Sequence, residues 1–152
     1  MKILLLTPLF YPENSRITLF IEELVKKGHD ITVVSPIPNY PKGNFFTGYG
    51  YFKKRKEKYK NITIYRCFTI PRKNGNKLNL FLNYISIFFG GILTVSKLLK
   101  INYDKIFVFQ VSPITIALPA IYYKFFKKKK IIMWTLDLWP ESIKVGGNLK
   151  SN

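Results

Sequence analysis

Acid–base chemistry has few places to reside in this chain, because only 8 Asp and Glu stand against 25 Lys and Arg. Glu22, Glu23, Asp30, Glu57 and Asp104 fall on helix surfaces, strand starts or a charged run, where solvated roles suffice. Glu13, Asp137 and Glu141 differ, since each lies just past the end of an apolar run, in TPLFYPENSR or TLDLWPES. They are the general acid/base candidates, although Asp137 and Glu141 read equally well as caps that orient the turn at Pro140. With one His and one Cys, neither a Ser/His/Asp nor a Cys/His nucleophilic set can be completed. A Cys- or His-based metal cluster is excluded on the same ground. His29 is read as structural, at a helix-to-strand turn. No nucleotide cofactor is expected, because neither G-x-G-x-x-G nor G-x-x-x-x-G-K-[ST] occurs.

A second chemistry is anion binding. Asn14 and Ser15 suit a helix N-cap, and the free N–H groups of the following helix, with Arg16 beside them, would hold a phosphate or carboxylate. The turn-rich segment Asn39–Gly43, with Tyr40, reads either as a plain loop or as a lid over a sugar. Two basic runs, Lys53–Lys60 and Lys127–Lys130, are either solvated faces or attractors of anionic lipid, at about 1 kcal/mol per residue near a membrane. Lys53, Lys54, Lys56 and Lys58 are the candidate membrane contacts. Nucleic acid is not an expected partner. Only four of the 25 basic residues are Arg, the residue that reads bases and phosphates bidentately, and no nucleic-acid-binding motif accompanies the charge.

The elements that must position these residues follow from periodicity. Unbroken apolar runs at 2–7, 30–35, 61–67, 104–109 and 131–136 read as strands buried on both faces. Ile17, Phe20, Ile21, Leu24 and Val25 recur at helical spacing, with Lys26-Lys27 and Gly28 as stop signals. Residues 78–99 form a long helix. Its polar positions Asn79, Asn83, Ser86, Gly90, Thr94 and Lys97 share one stripe, which makes it amphipathic rather than membrane-spanning, either core-packed or partly in a membrane interface. Residues 114–126 form a helix interrupted at Pro119. The opening apolar run has the outline of a signal peptide but no cleavage site, so a buried strand fits better. A length of 152 residues with 47% hydrophobic and 16% aromatic content bounds the chain to one globular domain and excludes a two-domain enzyme. The expected fold is α/β, a doubly wound parallel sheet. Ligands then sit at the carboxyl ends of the strands, in the loops 8–16, 36–52, 110–115 (which holds Ser112) and 137–142.

Five segments carry a family resemblance: KILLLTPLFYPENSRI (2–17), EELVKKGHDITVVS (22–35), PNYPKGNFFTGYG (38–50), VSPITIALPA (111–120) and WTLDLWPES (134–142). Together they resemble the amino-terminal domain of family 4 glycosyltransferases, in the branch that builds capsule, O-antigen and colanic-acid-type polysaccharides and includes fucosaminyl transferases. The resemblance implies a GT-B enzyme of two Rossmann-like domains. The amino-terminal one binds a polyprenyl-diphosphate-linked sugar acceptor at the cytoplasmic membrane face, and the carboxyl-terminal one binds the nucleotide-sugar donor. Transfer is retaining and needs no metal. By position, Glu13, Asn14, Ser15 and Arg16 match the loop that approaches donor phosphates and acceptor, where many relatives have a Gly pair. Asp137 falls where many members place a His against the reacting sugar, and Glu141 belongs to the DLWPE signature. Tyr40 and Ser112 join the acceptor- or phosphate-binding set.

The donor domain, with its two Glu eight residues apart, is expected to be absent after Asn152, as are the closing strands of the amino-terminal domain. The isolated chain is therefore expected to be inactive and to act as part of a longer or split transferase, with a donor-domain chain as partner. The alternatives are a non-catalytic membrane-recruiting or scaffold subunit, and an inactive remnant. The expected location is cytoplasmic, peripheral at the inner face of the cell membrane.

Overall fold

The β-branched and leucine-rich runs form strands as their patterns predict. The computed structural model describes residues 1–136. In chain order the elements are β1 (Lys2–Leu6), α1 (Arg16–Lys26), β2 (Asp30–Pro36), β3 (Lys56–Tyr59), β4 (Ile62–Cys67), α2 (Lys77–Leu98), β5 (Lys105–Gln110), a 3₁₀ turn (Ile114–Ala117), α3 (Leu118–Lys127) and β6 (Ile131–Thr135). They build one six-stranded sheet in the order β3-β4-β2-β1-β5-β6. Five strands are parallel, and β3 alone runs antiparallel, against β4. From β1 the chain winds outward first through β2 and β4, then through β5 and β6. That reversal is the doubly wound order, with its switch point between β1 and β5. The fold is α/β and Rossmann-like.

Alternate residues of β1 explain why it has no polar face. Leu4 and Leu6 pack with Val34, Ile106 and Val108 under α2 and α3, while Ile3 and Leu5 pack with Ile17, Ile21, Ile31 and Val33 under α1. Each such fully buried side chain contributes about 2 kcal/mol. Pro119 lies in the first turn of α3, where a missing N–H costs nothing. The predicted interruption is thus the junction between the 3₁₀ turn and the α-helix.

Two features depart from the sequence reading. The basic run 53–60 is partly a strand: Lys60 and Asn61 both take positive φ, at 43° and 65°, closing a two-residue hairpin of the primed type that folds Lys56–Tyr59 back on β4. A lysine-bearing outer strand also blunts the sheet edge.

Helix α2 departs more. Its polar stripe faces inward, with Asn83, Ser86, Gly90, Gly91 and Thr94 buried, while Leu78, Phe81, Leu82, Ile85, Phe89 and Leu93 are exposed. The chain leaving β4 has backbone groups that need partners, and α2 supplies them. Asn83 Nδ2 donates to Ile70 O at 2.6 Å, and Ile70 N donates to Ser86 Oγ at 2.8 Å. Gly90 lets the helix come so close that a Cβ there would lie 2.2 Å from Phe68 O.

Candidate functional site

The carboxyl ends of β1 and β2 release two loops, 7–15 and 37–52, and one carboxylate ties them together. Glu13 Oε1 accepts from Asn39 N at 2.9 Å and Tyr40 N at 2.8 Å, and its Oε2 accepts from Phe10 N at 3.4 Å. Glu13 is 4% exposed. Burial pushes its carboxyl above the usual Glu range, opposed by the three N–H donors and by the charge of Arg66. Its oxygens are occupied by backbone, so its position is that of a strut between the loops. The second loop is held from behind, where Lys73 N donates to Gly43 O at 2.7 Å and Arg72 N donates to Asn39 Oδ1 at 3.4 Å. Gly43 has φ 77°, and a Cβ there would lie 1.9 Å from Lys73 O. Only glycine fits that approach.

A second strut comes from the β3–β4 edge. Arg66, 1% exposed, donates from Nε and Nη2 to Glu57 Oε1 at 2.8 and 2.6 Å. Its Nη2 also donates to Tyr11 O, which binds the first loop to the sheet. Tyr49 OH donates to Glu57 Oε2 at 2.9 Å, and burial, then Glu57, push that phenol up to about 12. Tyr11 stacks on Tyr59 with ring centroids 3.8 Å apart. Glu57, read from the sequence as solvated, is thus the counter-ion of a buried guanidinium.

Between the two loops lies a cleft of about 420 Å³. Tyr11, Phe45, Phe46 and Tyr49 supply its aromatic surface, Lys42 and Lys54 its positive charge, and Asn44 and Thr47 its neutral hydrogen-bonding groups. The Lys54 amine sits 4.9 Å from the Tyr49 ring centroid, within cation–π reach. Among the described residues, no carboxylate lines the cleft. Its size falls in the range of small-ligand sites. Aromatic faces suit the C–H faces of a pyranose, and paired ammonium groups suit a phosphate or diphosphate.

The predicted site residues are distributed unevenly around this cleft. Lys54 lines it. Tyr40 is not among its lining residues; its N–H donates to Glu13, and its ring, in a residue 44% exposed, faces the Arg72 guanidinium at 5.6 Å. Asn14 is exposed within the first loop and Arg16 is exposed at the start of α1, while Ser15 stands at the N-cap of α1 without a side-chain cap bond. None of these three lines the cleft. Ser112 is half-buried past the carboxyl end of β5, apart from the cleft lining. Lys53, Lys56 and Lys58 are exposed, and Lys56 lies 5.3 Å from the Tyr65 ring. Asp137 and Glu141 lie outside the described residues. His29 sits at the amino end of β2, its Nδ1 3.3 Å from the Met1 amine. Tyr11, Lys42, Phe45, Phe46 and Tyr49 were not singled out individually from the sequence. The available signal was the density of aromatics in 45–52.

No family model matches the sequence, and no curated protein matches it significantly. Among solved structures the chain is similar to the C-terminal domain of the PF1911 hydrogenase from Pyrococcus furiosus, at 12% identity and a TM-score of 0.56, over 88% of this chain and 90% of that one. That likeness concerns the fold alone: a six-stranded, mostly parallel α/β sheet of Rossmann type covered by helices.

Proposed function

We propose that this chain is the acceptor-side part of a retaining glycosyltransferase that moves a sugar from a nucleotide-sugar to a lipid-linked glycan in surface polysaccharide synthesis, working peripherally at the inner membrane face. The observation that carries this reading is the cleft between the loops 7–15 and 37–52. It combines four aromatic rings with Lys42 and Lys54, the chemistry a sugar joined to a diphosphate requires. Those loops are also the ones that hold the PENSR and PNYPKG segments of the family resemblance. Stabilising a departing nucleotide diphosphate needs donors on both sides of a closed cleft, so in this reading a donor domain supplies the second wall and this chain supplies acceptor recognition.

The test is calorimetric titration of the chain with a short-chain prenyl diphosphate carrying one sugar, beside the same sugar free and a nucleotide-sugar. The prenyl diphosphate sugar is expected to bind most tightly. The Lys42→Gln/Lys54→Gln double variant should weaken it at least about tenfold, the scale of losing charge-assisted contacts to a diphosphate, and Phe46→Ala should weaken the prenyl diphosphate sugar and the free sugar alike. Equal binding by wild type and both variants would overturn the assignment of the cleft.

A further inference from the structure

Helix α2 wears its amphipathicity reversed, and the surface this creates has a definite chemistry. Leu78, Phe81, Leu82, Ile85, Phe89 and Leu93 are 37–65% exposed and recur every three or four residues, a single stripe on the order of 100° wide. At 1.5 Å per residue the stripe runs roughly 22 Å without a polar interruption. The buried side of the same helix is fully used, its glycines and amides locked to the chain leaving β4 and to Pro119. The apolar stripe therefore cannot turn inward without breaking those bonds. A patch of this kind on a folded surface marks an interaction site.

Its surroundings identify the partner. Helix α3 lies beside α2 over the same sheet face, and it exposes Ile121 at 53% and Phe125 at 79%, interleaved with Lys124 and Lys128. The pleat of β3 places Lys56 and Lys58 opposite Tyr65 and Thr63. Tyr65 packs against the core beneath α2, so these lysines project on that face too. Lys56 and Lys97 line one groove with Phe52, which is 98% exposed. From residue 58 to 136 there are fourteen Lys and Arg and a single acid, Asp104, whose carboxylate accepts from Lys2 N at 2.6 Å. The acids Glu22 and Glu23 belong to α1, on the opposite face. Two copies of so uniformly cationic a surface would repel, whereas an anionic lipid surface complements it in both charge and apolarity.

We propose that the α2–α3 face is a monotopic docking surface for an anionic phospholipid bilayer, with the Leu78–Leu93 stripe seated at the headgroup–acyl boundary and Lys56, Lys58, Lys97, Lys124 and Lys128 around it. This deepens the membrane location in the proposed function and rests on that reading only for its cellular setting. The residues are separate from the cleft, so vesicle docking and acceptor binding fail or succeed independently.

The experiment is co-sedimentation of the full chain with phosphatidylcholine vesicles, with and without about 30% phosphatidylglycerol, at roughly physiological and several-fold higher salt. Wild type is expected to sediment with the anionic vesicles and poorly with neutral ones. The Phe81→Ser/Phe89→Ser variant, whose side chains are 59% exposed each, should fold with unchanged Tm and bind roughly thirtyfold more weakly. Lys124→Glu/Lys128→Glu should weaken binding chiefly at the lower salt. A nitroxide on Leu93→Cys should report a lipid-phase environment. Unchanged binding by the phenylalanine variant, equal binding to neutral vesicles, or a dimer by light scattering that this variant dissociates would overturn the proposal.

Discussion

Replacing Gly90 by Ala sets helix propensity against tertiary packing, and the two predict opposite signs. In an exposed helix interior the change would stabilise by about 1 kcal/mol. Here the added Cβ would lie 2.2 Å from Phe68 O, 2.8 Å from Phe68 N and 3.0 Å from Phe68 C, where van der Waals contact needs roughly 3.5 Å. All three neighbours are backbone, so no flexible side chain can yield. The chain at Phe68 cannot retreat cheaply either, because Ile70 is tied to α2 through Ser86 and Asn83. Relief requires moving the helix by about 1 Å, which forfeits part of those buried bonds at about 1 kcal/mol each and adds overpacking strain of about 1–3 kcal/mol. The net expectation is a loss of roughly 2–4 kcal/mol, and on the order of 10 °C in Tm for a chain of this size. Urea denaturation followed by circular dichroism measures it. A natural comparison is Gly91→Ala, whose Cβ would meet the Pro119 ring at 2.6 Å from Cγ and should cost less, since a ring edge gives more readily than a carbonyl. A Gly90→Ala protein as stable as wild type, or more so, would refute the rotation and depth of α2, and the outward apolar stripe would fall with it.

Two other predictions concern the struts of the cleft. Arg66→Met strands Glu57, whose side chain is 14% exposed, and should destabilise by about 3 kcal/mol, while adding Glu57→Leu should recover much of the loss; strictly additive effects in a double-mutant cycle would count against the pair. Glu13 holds its proton more tightly in the folded chain than in the unfolded one, where its reference value is 4.5. Its contribution is therefore fully present below that value and is lost as pH rises through the raised folded value, after which it is constant. The stability of wild type relative to Glu13→Gln should accordingly fall as pH climbs from about 4.5, and a difference independent of pH, by urea titration between about pH 4 and 7, would refute the buried state of this carboxyl.

Much of the framework was legible in local pattern. The runs KILLL and DITVVSP are apolar on both faces because each strand is covered on both faces, and that redundancy makes them readable without knowing their neighbours. The edge strand β3 was not. KEKY carries no buried face of its own, and its hairpin turn is Lys60-Asn61 rather than an Asn-Gly pair, so only the partner strand makes it a strand.

The amino-acid sequence by itself determined the α/β class, the alternation of elements and the loops at the carboxyl ends of the strands, since each depends on periodicity within a few residues. It also determined that the long helix has a polar and an apolar side. Which side faces inward was decided by the tertiary structure, because the unpaired backbone leaving β4 bonds amides and hydroxyls that an apolar stripe could not offer. The same holds for Glu13 and Glu57. As sequence positions they are two of eight carboxylates, and their roles as a loop strut and a counter-ion arise from donors 26 and 9 residues away, which only folding brings within hydrogen-bonding distance.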